Sequence, residues 1–204
     1  MRNVCITGAS GYIGSKVALS LSQKDEIENI VGLDINPPKK SIPKLRFYKR
    51  DVRDNIDDIL KDNSIDTMIH TAYVLPPIHN KQLMEDINVG GTRNVIRACL
   101  RAKVEQMLYT SSSTAYGFHP DNDNPLTEDS PLRGNADFTY SKNKREIEMA
   151  IPEWIKDSSG MKYDYLASML CRWSGLRQPL VALSHQKGCL SSFSHRTHAV
   201  RSRG

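Results

Sequence analysis

None of the 204 residues belongs to an uninterrupted apolar run of eighteen or more, so the sequence offers no membrane-spanning helix. Glycine arrives at position 8, too early to leave room for the apolar region of a secretory signal. Cysteine is scarce. Cys5, Cys99, Cys171 and Cys189 stand far apart with no C-x-x-C pair, which argues against a zinc site or a disulfide framework and fits a reducing, cytoplasmic setting. His185, His195 and His198 are irregularly spaced, so no metal site is expected there either. The most uneven absence is of acids: residues 165–204 hold six Lys and Arg and no Asp or Glu. The rest of the chain therefore sets 22 basic against 23 acidic residues, and the net charge of +5 belongs to the tail. A near-neutral body gives no electrostatic reason to expect nucleic acid as a partner.

What is present alternates. Val4-Cys5-Ile6-Thr7 reads as a buried strand, followed at once by glycines and by a helix from about Tyr12 to Lys24 with Ile13, Val17 and Leu21 on one face. Further strands are predicted at Ile30–Leu33 (ending in Asp34), Leu45–Tyr48, from Thr67 to Ile69, and at Met107–Ser111. A short helix is predicted over Asp54–Lys61 and a long one over Lys81–Lys103; another runs from Thr139 to about Ala150, with Pro152 bending or ending it. Tyr165–Cys171 reads as a sixth strand. From Arg172 onward no period is sustained, and seven serines fall in the last forty residues. Strands alternating with helices predict an α/β fold around a parallel sheet.

Thr7-Gly8-Ala9-Ser10-Gly11-Tyr12-Ile13-Gly14 places G-x-x-G-x-x-G between a strand and a helix. A dinucleotide site needs glycine there for a tight turn, for backbone N–H groups to approach a pyrophosphate, and for close packing of helix on strand. The helix N-terminus adds its partial positive charge. Asp34 follows Gly14 by twenty residues at the end of the second strand, where a carboxylate accepts hydrogen bonds from ribose hydroxyls and repels a 2′-phosphate. That favours NAD over NADP; a plain solvated acid is the alternative, and Lys39-Lys40 lies nearby. The order Gly14-Ser15-Lys16 does not fit a P-loop.

Tyr140-Ser141-Lys142-Asn143-Lys144 is Y-x-x-x-K, which on a helix puts the tyrosine and lysine on one face. A free phenol has a pKa near 10, so half-ionisation near pH 7 requires about 4 kcal/mol of help, which a neighbouring ammonium and a positive nicotinamide ring could supply. The hydroxyl cluster Thr110-Ser111-Ser112-Ser113-Thr114 follows a strand, where open α/β sheets present ligands. His70 reads as a packed, hydrogen-bonded histidine and Cys5 as a small core residue. For Gly90-Gly91 two readings stand: close backbone approach inside the long helix, or a helix that begins after them.

Taken together with L-D (33–34), D-V-R-D (51–54), I-H-T-A (69–72), N-V-G-G-T-R-N (88–94) and Y-T-S-S-S-T-A-Y-G (109–117), these motifs make residues 1–150 resemble an extended short-chain dehydrogenase/reductase of the NAD-dependent epimerase/dehydratase family. The resemblance implies a Rossmann-type doubly wound parallel sheet and bound NAD. It implies that Gly8, Gly11, Tyr12, Ile13 and Gly14 form the pyrophosphate turn and that Asp34 holds the adenosine ribose. Asp51 and Val52 would border the adenine, Ala72 would line the cofactor cleft, and Asn88 would order that region from the long helix. It makes Tyr140 the acid/base, has Lys144 bind the nicotinamide ribose and lower the Tyr140 pKa, and assigns Ser112, with Ser113 as the alternative, to the reacting oxygen. The implied activity is oxidation of a hydroxyl on a nucleotide-sugar-like substrate, with hydride passing to NAD and, in epimerases and dehydratases, back. A homodimer formed by helix pairing is common in the family.

The resemblance stops short of the family's usual substrate lobe. Leu170-Cys171-Arg172-Trp173-Ser174-Gly175-Leu176 stands where an R-P-x-x-V-x-G-P-like stretch introduces it. The expected organisation is therefore an NAD(P)-binding Rossmann domain with its catalytic residues over 1–165, and an atypical basic, serine-rich tail over 166–204 arising by truncation or frameshift. The alternative function is a catalytically incompetent NAD-binding fragment.

Overall fold

The computed structural model describes residues 1–74, 80–156, 161–168 and 182–186. Cys171, Cys189, His195 and His198 lie outside them, as does the end of the strand expected over 165–171. Among the described residues, seven strands form one sheet: β1 (Arg2–Thr7), β2 (Ile27–Asp34), β3 (Leu45–Lys49), β4 (Thr67–His70), β5 (Gln106–Ser112), β6 (Lys162–Ser168) and β7 (Ala182–Gln186). Their order is β3-β2-β1-β4-β5-β6-β7. The first six run parallel and β7 is antiparallel to β6. This is the doubly wound arrangement expected, with an antiparallel edge strand added. β6 runs across positions 165 and 166, and β7 falls where no period is legible.

Alternation along each strand explains both covering layers. Val4 and Ile6 of β1, Ile30 of β2 and Ile69 of β4 bury against α1 (Tyr12–Ser22) through Ala18, Val17 and Leu21. Their neighbours Cys5, Val31 and Met68 point the other way, with Met107 and Tyr109 of β5. There they meet α2 (Asp57–Asp62), α4 (Gly91–Ala102) and α5 (Thr139–Trp154) through Leu60, Val95, Ile96, Ile147 and Ile151. A parallel strand covered on both faces reads as a continuous apolar run, which is what β1 and β2 show.

The long helix is one body with a wide turn inside it. α3 (Lys81–Glu85) leads into a π turn (Asp86–Gly90), which leads into α4. The helix passes through both glycines. A Cβ at Gly91 would lie 2.5 Å from Val52 Cγ2, so the helix does come close there, to the turn after β3 and not to a neighbouring strand. α5 carries Pro152 inside it and runs on to Trp154, beyond the predicted end near Ala150. Proline removes one donor, but the next turn closes normally, with Ile155 N–H donating to Ile151 O at 3.1 Å. α2 begins three residues later than predicted, at Asp57. Among the described residues no helix is long and apolar enough to cross a membrane.

Candidate active site

β1 and β4 are neighbours whose chains depart in opposite directions, and the crevice between their C-terminal ends is where a doubly wound sheet takes ligands. The glycine turn lies on it. Gly8 has φ +68° and donates its N–H to Leu33 O at 2.8 Å; Gly11 N–H closes the turn on Gly8 O at 3.0 Å. A Cβ at Gly14 would sit 2.1 Å from Gly8 O, so α1 lies directly on the turn. Gly11 caps α1 with extended backbone and no side-chain hydrogen bond, and the first turn holds no acid. Its leading N–H groups and partial positive charge therefore face the cleft, a donor set suited to a pyrophosphate.

From this turn the cleft runs both ways. One arm, about 210 Å³, is lined by Asp34, Asn36, Arg50, Asp51, Val52 and Ala72, among others. The Asp34 carboxylate accepts from Ser10 N–H (3.1 Å) and Asn36 N–H (3.0 Å), which fixes it at the tip of β2. Asp51 is clamped by Arg53, and that hydrogen bonding holds its carboxyl below the usual range. Arg53 also reaches Asp86 at 2.9 Å, and Asn94 donates to Val52 O and Asp54 O, both at 2.8 Å. The Asp51–Val52 turn is thus tied to the π turn and α4. Neither Arg53 nor Asn94 was singled out from sequence, although both lie inside the quoted motifs.

The other arm, about 360 Å³, is lined by Tyr12, Ile13, Gly14, Thr71, Tyr73, Thr110, Ser111, Tyr140 and Lys144. Tyr140 and Lys144 share a face of α5, as their spacing requires. Lys144 is buried, donating to Thr110 O (2.7 Å) and Tyr109 Oη (3.1 Å), with its Nζ 3.8 Å from the centre of the Tyr73 ring. Burial drops its pKa to about 7, against the opposing pull of Glu148. The ammonium is engaged with β5 and lies 5.8 Å from the Tyr140 ring centre. Burial raises the pKa of the Tyr140 phenol, and a hydrogen bond with Ser112 works the other way. Ser112 is 2% exposed and also accepts from Thr114 N–H and Oγ1–H.

Two buried groups brace the cleft from behind. Asn88, in the π turn, accepts from Val74 N–H (2.9 Å) and donates to Val74 O (3.3 Å), fixing the chain after β4. His70 links the turn to the helix. Thr92 Oγ1 donates to Asn88 O (2.6 Å), so it accepts from His70 Nε2–H (2.9 Å); His70 Nδ1 then accepts from Thr7 Oγ1–H (2.6 Å). Burial, helped by the Lys144 charge, lowers the His70 pKa to about 3. Between pH 6.5 and 3 the unfolded chain therefore binds a proton at this residue that the folded chain refuses, and stability falls as pH falls through that window. In His70→Gln that slope is expected to be shallower by up to about 1.4 kcal/mol per pH unit, measured by denaturant unfolding from pH 6.5 to 4.

The chain matches the NAD dependent epimerase/dehydratase family over residues 4–199. It belongs to that family. The UDP-glucose 4-epimerase of Lactobacillus helveticus is 31% identical over 169 residues, which cover 80% of this chain and 50% of the relative. Among solved structures, a UDP-glucose-4-epimerase from Stenotrophomonas maltophila with bound NAD and formylated UDP-arabinopyranose superposes with a TM-score of 0.71 at 21% identity, covering 82% of this chain and 52% of that one. The Bordetella bronchiseptica enzyme WbmH in complex with NAD+ gives 0.67 at 26% identity, covering 80% and 54%. The chain thus spans about half the length of the relatives it matches. Tyr109 entered only as the first residue of the 109–117 motif, and Tyr73 and Glu148 were not named from sequence. Glu148 was within reach of it, since position 148 is one helical turn beyond Lys144.

Proposed function

We propose that this epimerase/dehydratase-family chain holds NAD along the two-armed cleft and uses Tyr140 as acid/base on a hydroxyl of a nucleotide-sugar-like substrate. The carrying observation is the continuity of the cleft from Asp34, past the Gly8–Gly14 turn, to Tyr140 and Lys144. The residues fit the cofactor. The turn is a cradle that a Cβ would fill; the α1 N–H groups would hold the phosphates, Asp34 the ribose hydroxyls, and Lys144 lines the arm that would take the nicotinamide. Bound there, NAD supplies the hydride acceptor that no side chain can replace. Tyr140 takes and returns the hydroxyl proton at its phenol oxygen, and Ser112, bonded to that side chain, orients the exchange. Burial keeps the phenol protonated, so the base form calls for positive charge beside it.

Two relatives support the substrate class: the L. helveticus protein is named for UDP-glucose, and the S. maltophila structure holds a UDP-linked sugar. The test is interconversion of UDP-glucose and UDP-galactose by the full chain with NAD, against Tyr140→Phe. Turnover that the variant loses supports the reading; turnover that survives in the variant overturns it. A second reading, NAD binding without catalysis, is favoured by the half-length match, and is supported if NAD binds while a panel of nucleotide sugars is left unchanged.

Asp34→Ala is expected to weaken NAD about 10- to 100-fold, the worth of hydrogen bonds to a charged group, and to reduce discrimination against NADP. Paired titrations with the two dinucleotides check both effects.

A further inference from the structure

Lys144 and Glu148 lie one turn apart on α5 and converge on consecutive residues of β5. Lys144 donates to the carbonyl of Thr110, and the Glu148 carboxylate accepts from the hydroxyl of Ser111. Ser111 itself lines the nicotinamide arm. Among the described residues, the other groups placed against the lysine are neutral. Tyr140 on α5, Tyr109 on β5 and Tyr73 after β4 present phenol rings, and His70 on β4 is held in its uncharged form. Tyr116, in the 3₁₀ turn after β5, is buried and neutral, and Glu148 helps to keep it so. A buried ammonium among tyrosine rings and carbonyls is costly unless a carboxylate offsets it.

We propose that Glu148 is a positioning residue for Lys144, the anchored counter-charge that favours the lysine's ammonium form inside its tyrosine-lined pocket. This rests on reading Lys144 as the lysine of the tyrosine–lysine pair. Glu148 touches neither cofactor arm. It acts through Lys144, and the Ser111 hydrogen bond favours its ionised form. The two groups support one another: burial raises the carboxyl's pKa, while Ser111 and Lys144 pull it back down.

The experiment is a lysine-selective NMR titration of the full chain labelled with 13C-lysine, following the Lys144 Cε signal identified by its absence in Lys144→Met. In the wild type the midpoint is expected at about 7. Glu148→Gln still accepts the Ser111 hydrogen bond but carries no charge, and should lower the midpoint by roughly one pH unit or more. Glu148→Asp should fall between the two. Ser111→Ala should move the midpoint in the same direction by less, because a carboxyl without its donor takes a proton more readily. An unchanged midpoint in Glu148→Gln overturns the proposal, even if the variant is less stable, since a merely structural role moves the melting temperature and not the titration. Should Glu148→Gln fail to fold, an unchanged midpoint in Ser111→Ala overturns it equally. No NAD or substrate is present, so a failed catalytic reading leaves these midpoints untouched.

Discussion

Alanine at position 14 should weaken NAD binding by at least about 100-fold and destabilise the chain by several kcal/mol. The built Cβ lies 2.1 Å from Gly8 O and 2.9 Å from Thr71 Oγ1. The first of these is backbone, so no rotamer change relieves it. Either α1 moves away from the turn or the turn opens, and both displace the N–H groups that would face the pyrophosphate. Overpacking a tight contact typically costs about 1–3 kcal/mol, and more where backbone must shift. Gly90→Ala is the matched control. There the nearest atom to a new Cβ is a carboxylate oxygen of Asp86 at 3.2 Å, the end of a flexible side chain. Alanine in a helix gains up to about 1 kcal/mol over glycine, so this variant should bind NAD normally and melt no lower than wild type. Calorimetric titration and thermal unfolding of both variants check the contrast.

Tyr140→Phe should reduce turnover about 10²- to 10⁴-fold, the range for removing a general acid/base, while NAD affinity changes little. The ring is what the fold uses. It packs edge-on to Tyr73, with centroids 5.3 Å apart, and lies 5.9 Å from Phe138; phenylalanine keeps both contacts. Only the hydroxyl and its bond with Ser112 are lost. A fall in turnover at unchanged NAD affinity is about 3–5 kcal/mol of barrier, and it places the hydroxyl in the reaction. An equal fall in NAD affinity would instead make Tyr140 a part of the cofactor seat.

Much of the sheet and of the cleft could be read before the fold was known, because local signals carry them. The buried-strand runs at Val4–Thr7 and Ile30–Leu33, the glycine turn between strand and helix, and the i,i+4 pair Tyr140–Lys144 each depend on neighbours in sequence. What was not legible depends on distant residues. Periodicity places a helix over 81–103, yet it cannot show that Asp86–Gly90 opens into a π turn, which turns Asn88 toward Val74. The direction of Lys144 is set by acceptors on β5, 34 and 35 residues away in sequence, and not by its helical neighbour Tyr140. β7 is five residues without alternation, placed by antiparallel pairing with β6.

Calorimetric titration of the intact 204-residue chain with NAD, beside an identical titration with NADP, tests the central claim most directly. Saturable one-to-one binding of NAD, tighter than that of NADP, is the expected result, because the cradle, the α1 N–H groups and Asp34 are all in place in this chain. No saturation at millimolar NAD, or a preference for NADP, would contradict the account.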